Sequence, residues 1–151
     1  MSAELIYLLS NSLVLPAWLL LIVAPRWKWT LAVICPAVIP LILALVYAPL
    51  MFSQLPNMPE GGGIGTLEEV LIAFGNPYVL AAGWIHYIAF DLFIGSWELR
   101  DSQIHRIPHW LVVPCLLLTF ALGPVGLGSY LILRSLWIRR LEIYPPLTQS
   151  A

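Results

Sequence analysis

Apolar residues fill this chain in four long stretches, without the regular apolar–polar alternation of half-buried elements, and the polar residues gather between them. Crossing the hydrocarbon as helix takes about twenty apolar residues, so the pattern predicts spans over 5–24, 31–52, 78–95 and 108–133. Pro25, Arg26, Trp27, Lys28 and Trp29 close the first with the basic and aromatic residues that favour a membrane interface. Pro36, Pro40 and Pro49 should kink or end the second without forbidding it, and Pro114 with "GPVGLG" (123–128) predicts a bend in the fourth. That bend is compatible with a re-entrant hairpin, but a bent single span satisfies its backbone more easily in lipid and is the reading preferred. In the connection 53–77, "TLEEVLIAFG" predicts a short interfacial helix at 67–74, with Thr66 as N-cap, Glu69 as its capping-box partner and Gly75 as the stop. The expected fold is all-α, a polytopic membrane protein with four transmembrane helices in an antiparallel bundle, one domain over 1–151.

Composition agrees with the pattern. Hydrophobic residues make up 60% of the chain and charged residues 10%, against roughly half and a quarter in soluble domains. A net charge of −1, with Lys and Arg scattered singly or in pairs, excludes the basic surface that nucleic acid requires. Cys35 and Cys115 stand alone in apolar runs and read as buried thiols, not as a metal or redox pair. "GGGIG" (61–65) lacks the Lys-Ser/Thr of a phosphate loop and reads as a flexible connection. The start of the chain carries Glu4 and no basic residue, so the first helix is expected to be retained, and a bacterial inner or photosynthetic membrane is the expected location.

Positive charge in short loops marks the cytoplasmic side. Arg26 and Lys28 precede the second span and Arg100 and Arg106 follow the third, whereas the connection between those spans carries Glu60, Glu68 and Glu69. With a simple fourth span, both termini share a face and Arg134, Arg139 and Arg140 lie away from the other basic residues.

The candidate chemistry lies in "GWIHYIAFDLFIGSWELRD" (83–101), which places His86 and Asp91 in an otherwise apolar run. Ionisable groups inside a membrane are costly and mark function or pairing. At about 100° per residue, Trp84, Tyr87, Asp91 and Glu98 share one helix face and His86, Phe90, Phe93 and Trp97 another. An antiparallel neighbour beginning at Pro108 would set His109 level with Asp91. Two polar places follow: His86 in mid-membrane, and an interfacial group of Asp91, Glu98, Arg100, Asp101, His105 and His109. A salt bridge or helix–helix hydrogen bond is the structural alternative for Asp91, packing is that for His86, and a solvated loop is the alternative for Glu98, Arg100 and Asp101. Asn11 reads as interhelical glue. "HRIPH" (105–109) has the spacing of a metal pair, but Pro108 interrupts it, and three histidines are too few for a di-iron membrane hydroxylase. Neither a metal nor a cofactor is expected.

The string at 83–101, followed by "IPHWLVVPCLLLTFALGPVGLGSYLILR" (107–134), closely resembles the core of the abscisic-acid-deficient-four-like family of small integral membrane proteins. The resemblance is best over 70–134, while the first two helices match mainly in hydropathy and length. Plant and algal members are required for neoxanthin formation, so the resemblance implies carotenoid metabolism, with the protein as an epoxy-carotenoid isomerase or its essential membrane partner. Opening an epoxide to an allenic alcohol needs an acid at the oxygen and a base at the adjacent polyene carbon, with no redox cofactor. On that reading Asp91 and His86 are the catalytic candidates, although they point different ways, and Trp84, Tyr87, Phe90, Phe93, Trp97 and His109 are the candidates for binding the substrate. The alternative is a non-catalytic carotenoid- or lipid-binding scaffold. Membrane lipid and a carotenoid are the expected partners, and a homo-oligomer remains open.

Overall fold

A computed structural model describes residues 1–140, 142 and 143. Helix α1 spans Ala3–Val23 and is capped by Ser2, whose hydroxyl accepts from the Leu5 N–H. Helix α2 runs over Thr30–Asn57. Its first part, Thr30–Val38, is π-helical and contains Pro36. Proline has no N–H and clashes with the carbonyl four residues back, so the wider turn absorbs it without ending the helix. The short α3, Leu67–Phe74, begins at Thr66, which accepts from the Glu69 N–H at 3.2 Å. The Glu69 carboxylate returns to the Gly65 N–H at 2.9 Å, one residue before the cap. Then come α4 (Pro77–Ile104), α5 (His109–Leu122) and α6 (Pro124–Ile138). The all-α class stands, and α1, α2 and α4 are long and apolar enough to cross a membrane.

Helix α4 is the centre and packs against every other helix. The core forms around Leu21, Leu43, Ile85, Leu92, Val112 and Leu116. Small residues allow the closest crossings: a methyl at Gly95 would stand 2.7 Å from the Trp18 ring of α1. Asn11 joins the same two helices by accepting from the Trp84 indole N–H at 3.2 Å, as expected of glue.

Two expectations are corrected. The third span does not end at Gly95: α4 has 28 residues, and Glu98, Arg100 and Asp101 are helical, with Glu98 and Asp101 buried. Hydropathy loses the helix where its polar residues begin, but those residues meet partners on α5 and α6. The helix closes with a Schellman motif, in which Ile107 N–H donates to the Ser102 carbonyl at 2.8 Å and Arg106 N–H to that of Gln103 at 3.3 Å. Arg106, with φ 55°, occupies the left-handed position that usually holds glycine.

The fourth apolar segment is not a single span. It breaks at Gly123 (φ 43°) into α5 and α6, which fold against each other as a hairpin. At its start His109 bonds to the end of α1, at the turn Gly123 approaches Asp91, and after the turn Tyr130 and Arg134 reach Asp101. The chain therefore enters and leaves at the same end. Gly126 has no side chain and lets α6 approach Thr119 so closely that a methyl there would overlap its backbone. Gly123 itself is buried in protein, the condition under which irregular backbone is tolerated at membrane depth, while Leu122 and Val125 on either side of it are exposed. All seven Lys and Arg residues consequently lie at one end, and Glu4, Glu60, Glu68 and Glu69 lie at the other.

Candidate functional site

Two faces of α4 carry different chemistry. On one, His86, Phe90 and Phe93 follow one another at helical spacing and meet Pro40, Leu43, Ala44 and Tyr47 of α2 across a groove of about 370 Å³. The His86 ring is exposed in this groove, 4.6 Å from the Phe90 ring and 6.0 Å from that of Tyr47 by centroids. His86 and Tyr47 are the two lining side chains that can exchange a proton. An imidazole exposed on an apolar helix face has no water to satisfy it at that depth, so the wall is suited to an apolar occupant with a polar atom near its middle.

The other face points at the hairpin. Asp91 lies beside its turn, where a methyl on Gly123 would stand 3.0 Å from Oδ1, and Oδ2 is buried without a hydrogen-bond partner among the described residues. Two turns further along, Glu98 is fully buried, and the Thr119 hydroxyl lies 2.9 and 3.1 Å from its two oxygens. Asp101 follows, its Oδ2 accepting from the Tyr130 hydroxyl at 2.6 Å and from Arg134 Nε at 2.7 Å. Arg134 also donates to His105 Nε2 at 3.1 Å and to the Glu142 carbonyl at 3.0 Å. A guanidinium cannot accept, so that His105 nitrogen is an acceptor, and its 3.4 Å approach to Asp101 Oδ1 is proximity and not an ion pair. The carboxylates of α4 thus serve largely to hold the hairpin.

The side chains named from the sequence separate accordingly. His86 and Phe90 share the groove with Phe93. Asp91 is on the hairpin side, so it and His86 do not form one site. Trp84 packs against Tyr7 of α1 and against Tyr87, and Trp97 stands edge-on to Tyr130 of α6, 5.6 Å between centroids. His109 does not meet Asp91. Because α4 continues nine residues past Gly95, α5 begins further out, and His109 Nε2 donates instead to the Ile22 carbonyl of α1 at 2.8 Å. Tyr47 was missed: a lone tyrosine in an apolar span carries no signal of its own. Arg134 was also missed as a buried partner, since the single-span reading sends it to the opposite end. Cys35 and Cys115 are buried and unpaired, as expected of packing thiols. Among the described residues, no three His, Cys, Asp or Glu side chains gather as a metal site.

No solved structure matches this chain. Protein ABA DEFICIENT 4, chloroplastic, of Arabidopsis thaliana is 27% identical to it over 147 residues. The match covers 89% of this chain and 62% of that protein, so the chain spans less than two thirds of its relative's length. The family described as ABA DEFICIENT 4-like matches residues 5–130, which include α1 but for its first two residues, all of α2 to α5 and the first half of α6, and with them the groove, the hairpin turn and Tyr130. This chain belongs to the ABA DEFICIENT 4-like family.

Proposed function

We propose that this membrane protein acts in carotenoid metabolism, taking an epoxy-carotenoid into the groove between α2 and α4 and rearranging it with His86 and Tyr47 as the proton-exchanging pair. The observation that carries this is the groove itself: an apolar, aromatic wall in which an imidazole and a phenol are the two groups able to move protons. Family membership and the resemblance to proteins of neoxanthin formation supply the substrate class. The rearrangement conserves atoms. A proton is delivered to the epoxide oxygen as its C–O bond opens, and another leaves the adjacent polyene carbon, whose electron pair becomes the allenic double bond. An imidazole suits the base and a hydroxyl the acid, each working without a redox partner. Asp91 has no part in this step, because it lies on the opposite side of α4.

The second reading, a carotenoid holder without catalysis, is favoured by the separation of His86 from every carboxylate. Purified protein in liposomes loaded with an epoxy-carotenoid, followed by chromatography of the pigment, distinguishes the two. Formation of the allenic product by wild type and its loss in His86→Ala and Tyr47→Phe supports catalysis. Retained but unchanged pigment supports the holder, and absence of pigment binding sinks both.

A further inference from the structure

At the basic end, the close of α1, the Schellman turn of α4 and the start of α5 enclose a second, polar cavity of about 330 Å³, lined by Arg26, Ser102, Gln103, Arg106 and His109 among others. Arg26 and Arg106 are exposed, and among the described residues neither forms an ion pair. His109 donates through Nε2 to the Ile22 carbonyl, which in the neutral ring makes Nδ1 an acceptor, and that nitrogen is buried with no partner among the described residues. Four tryptophans, Trp27, Trp29, Trp110 and Trp137, are exposed around this end. Such a belt sits at headgroup depth, so the cavity opens where phospholipid headgroups lie.

We propose that this cavity is a binding site for an anionic phospholipid headgroup that carries a hydroxyl, of the phosphatidylglycerol type. Arg26 and Arg106 hold the phosphodiester. The headgroup hydroxyl supplies the donor that the buried His109 Nδ1 lacks among the described residues. The site is independent of the carotenoid groove, which lies between other faces of the helices.

The test is melting of the purified full chain in mild detergent with added phosphatidylglycerol, phosphatidylmethanol, phosphatidylcholine or soluble glycerol phosphate. Phosphatidylglycerol should raise the midpoint most. Phosphatidylmethanol, equal in charge but without the hydroxyl, should bind several-fold more weakly. Phosphatidylcholine should have no effect. Arg26→Gln with Arg106→Gln should leave the lipid-free midpoint in place and weaken phosphatidylglycerol by about 30-fold, taking roughly fivefold for each basic contact. An unchanged response in the double variant, or equal effects of the three lipids, overturns the site. A response to glycerol phosphate as strong as that to the lipid assigns the cavity to a soluble phosphate and overturns the lipid reading.

Discussion

Arg134 Nε in α6 donates to Asp101 Oδ2 in α4 at 2.7 Å, with the two side chains only 2% and 10% exposed, and this buried pair holds the returning arm of the hairpin against the central helix. Removing one partner of a buried pair leaves the other charge uncompensated, which costs about 3–5 kcal/mol. Arg134→Met should therefore lower stability in detergent by that amount. The double variant Asp101→Leu with Arg134→Met should recover much of it, because no charge is then stranded. Strictly additive losses in a double-mutant cycle would mean that the pair does not couple.

The hairpin fixes which residues share a side. Cysteines introduced at Lys28 and Arg140 should be labelled by an impermeant reagent from the same face, and one introduced at Ile64, which is 93% exposed, from the other. The positive-inside tendency predicts labelling of the Lys28 face from the cytoplasmic side. Labelling of Arg140→Cys together with Ile64→Cys would restore a single fourth span.

Two glycines of α6 provide a contrast within one helix. A methyl at Gly126 overlaps the backbone of Thr119, whereas one at Gly128 meets nothing within 4 Å. Gly126→Ala should cost about 2 kcal/mol or more by forcing α5 and α6 apart. Gly128→Ala should be neutral or stabilising by about 0.5–1 kcal/mol, because alanine loses less backbone entropy in a helix. Thermal melts of the two variants under one set of conditions decide the matter.

Arg106 is held at φ 55°, a conformation that costs a residue with a side chain roughly 1–2 kcal/mol and glycine almost nothing. Arg106→Gly should raise the melting midpoint while weakening the response to phosphatidylglycerol. Stability and lipid response rising together would leave the arginine without a role there.

The two faces of α4 should separate in function. His86 is exposed, so His86→Ala should keep stability within about 1 kcal/mol and abolish pigment conversion. Asp91→Asn preserves volume and an acceptor at the hairpin turn and should leave conversion intact. Pigment chromatography beside melting curves reads both, and loss of conversion in Asp91→Asn with unchanged stability would return the carboxylate to the chemistry.

Run length and composition alone determined that this is an all-α membrane protein, that α1, α2 and α3 lie close to where they were expected, and that His86 and Asp91 face different ways, because these properties depend on local hydrophobicity and on helical angle. The cap at Thr66 was legible for the same reason: its hydrogen bond closes within three residues. Three features were decided only by tertiary structure. The extension of α4 beyond Gly95 depends on partners for Glu98 and Asp101 that come from residues 21 to 33 positions away. The return of the chain at Gly123 depends on Gly126 fitting against Thr119 and on the Asp101–Arg134 bond, so "GPVGLG" alone favours the reading as a kink. The position of His109 follows from the length of α4, since a register shift of two to three turns moves a side chain from one neighbour to another. Hydropathy measures the transfer of each residue into lipid, and a polar residue matched by another helix is never transferred unpaired.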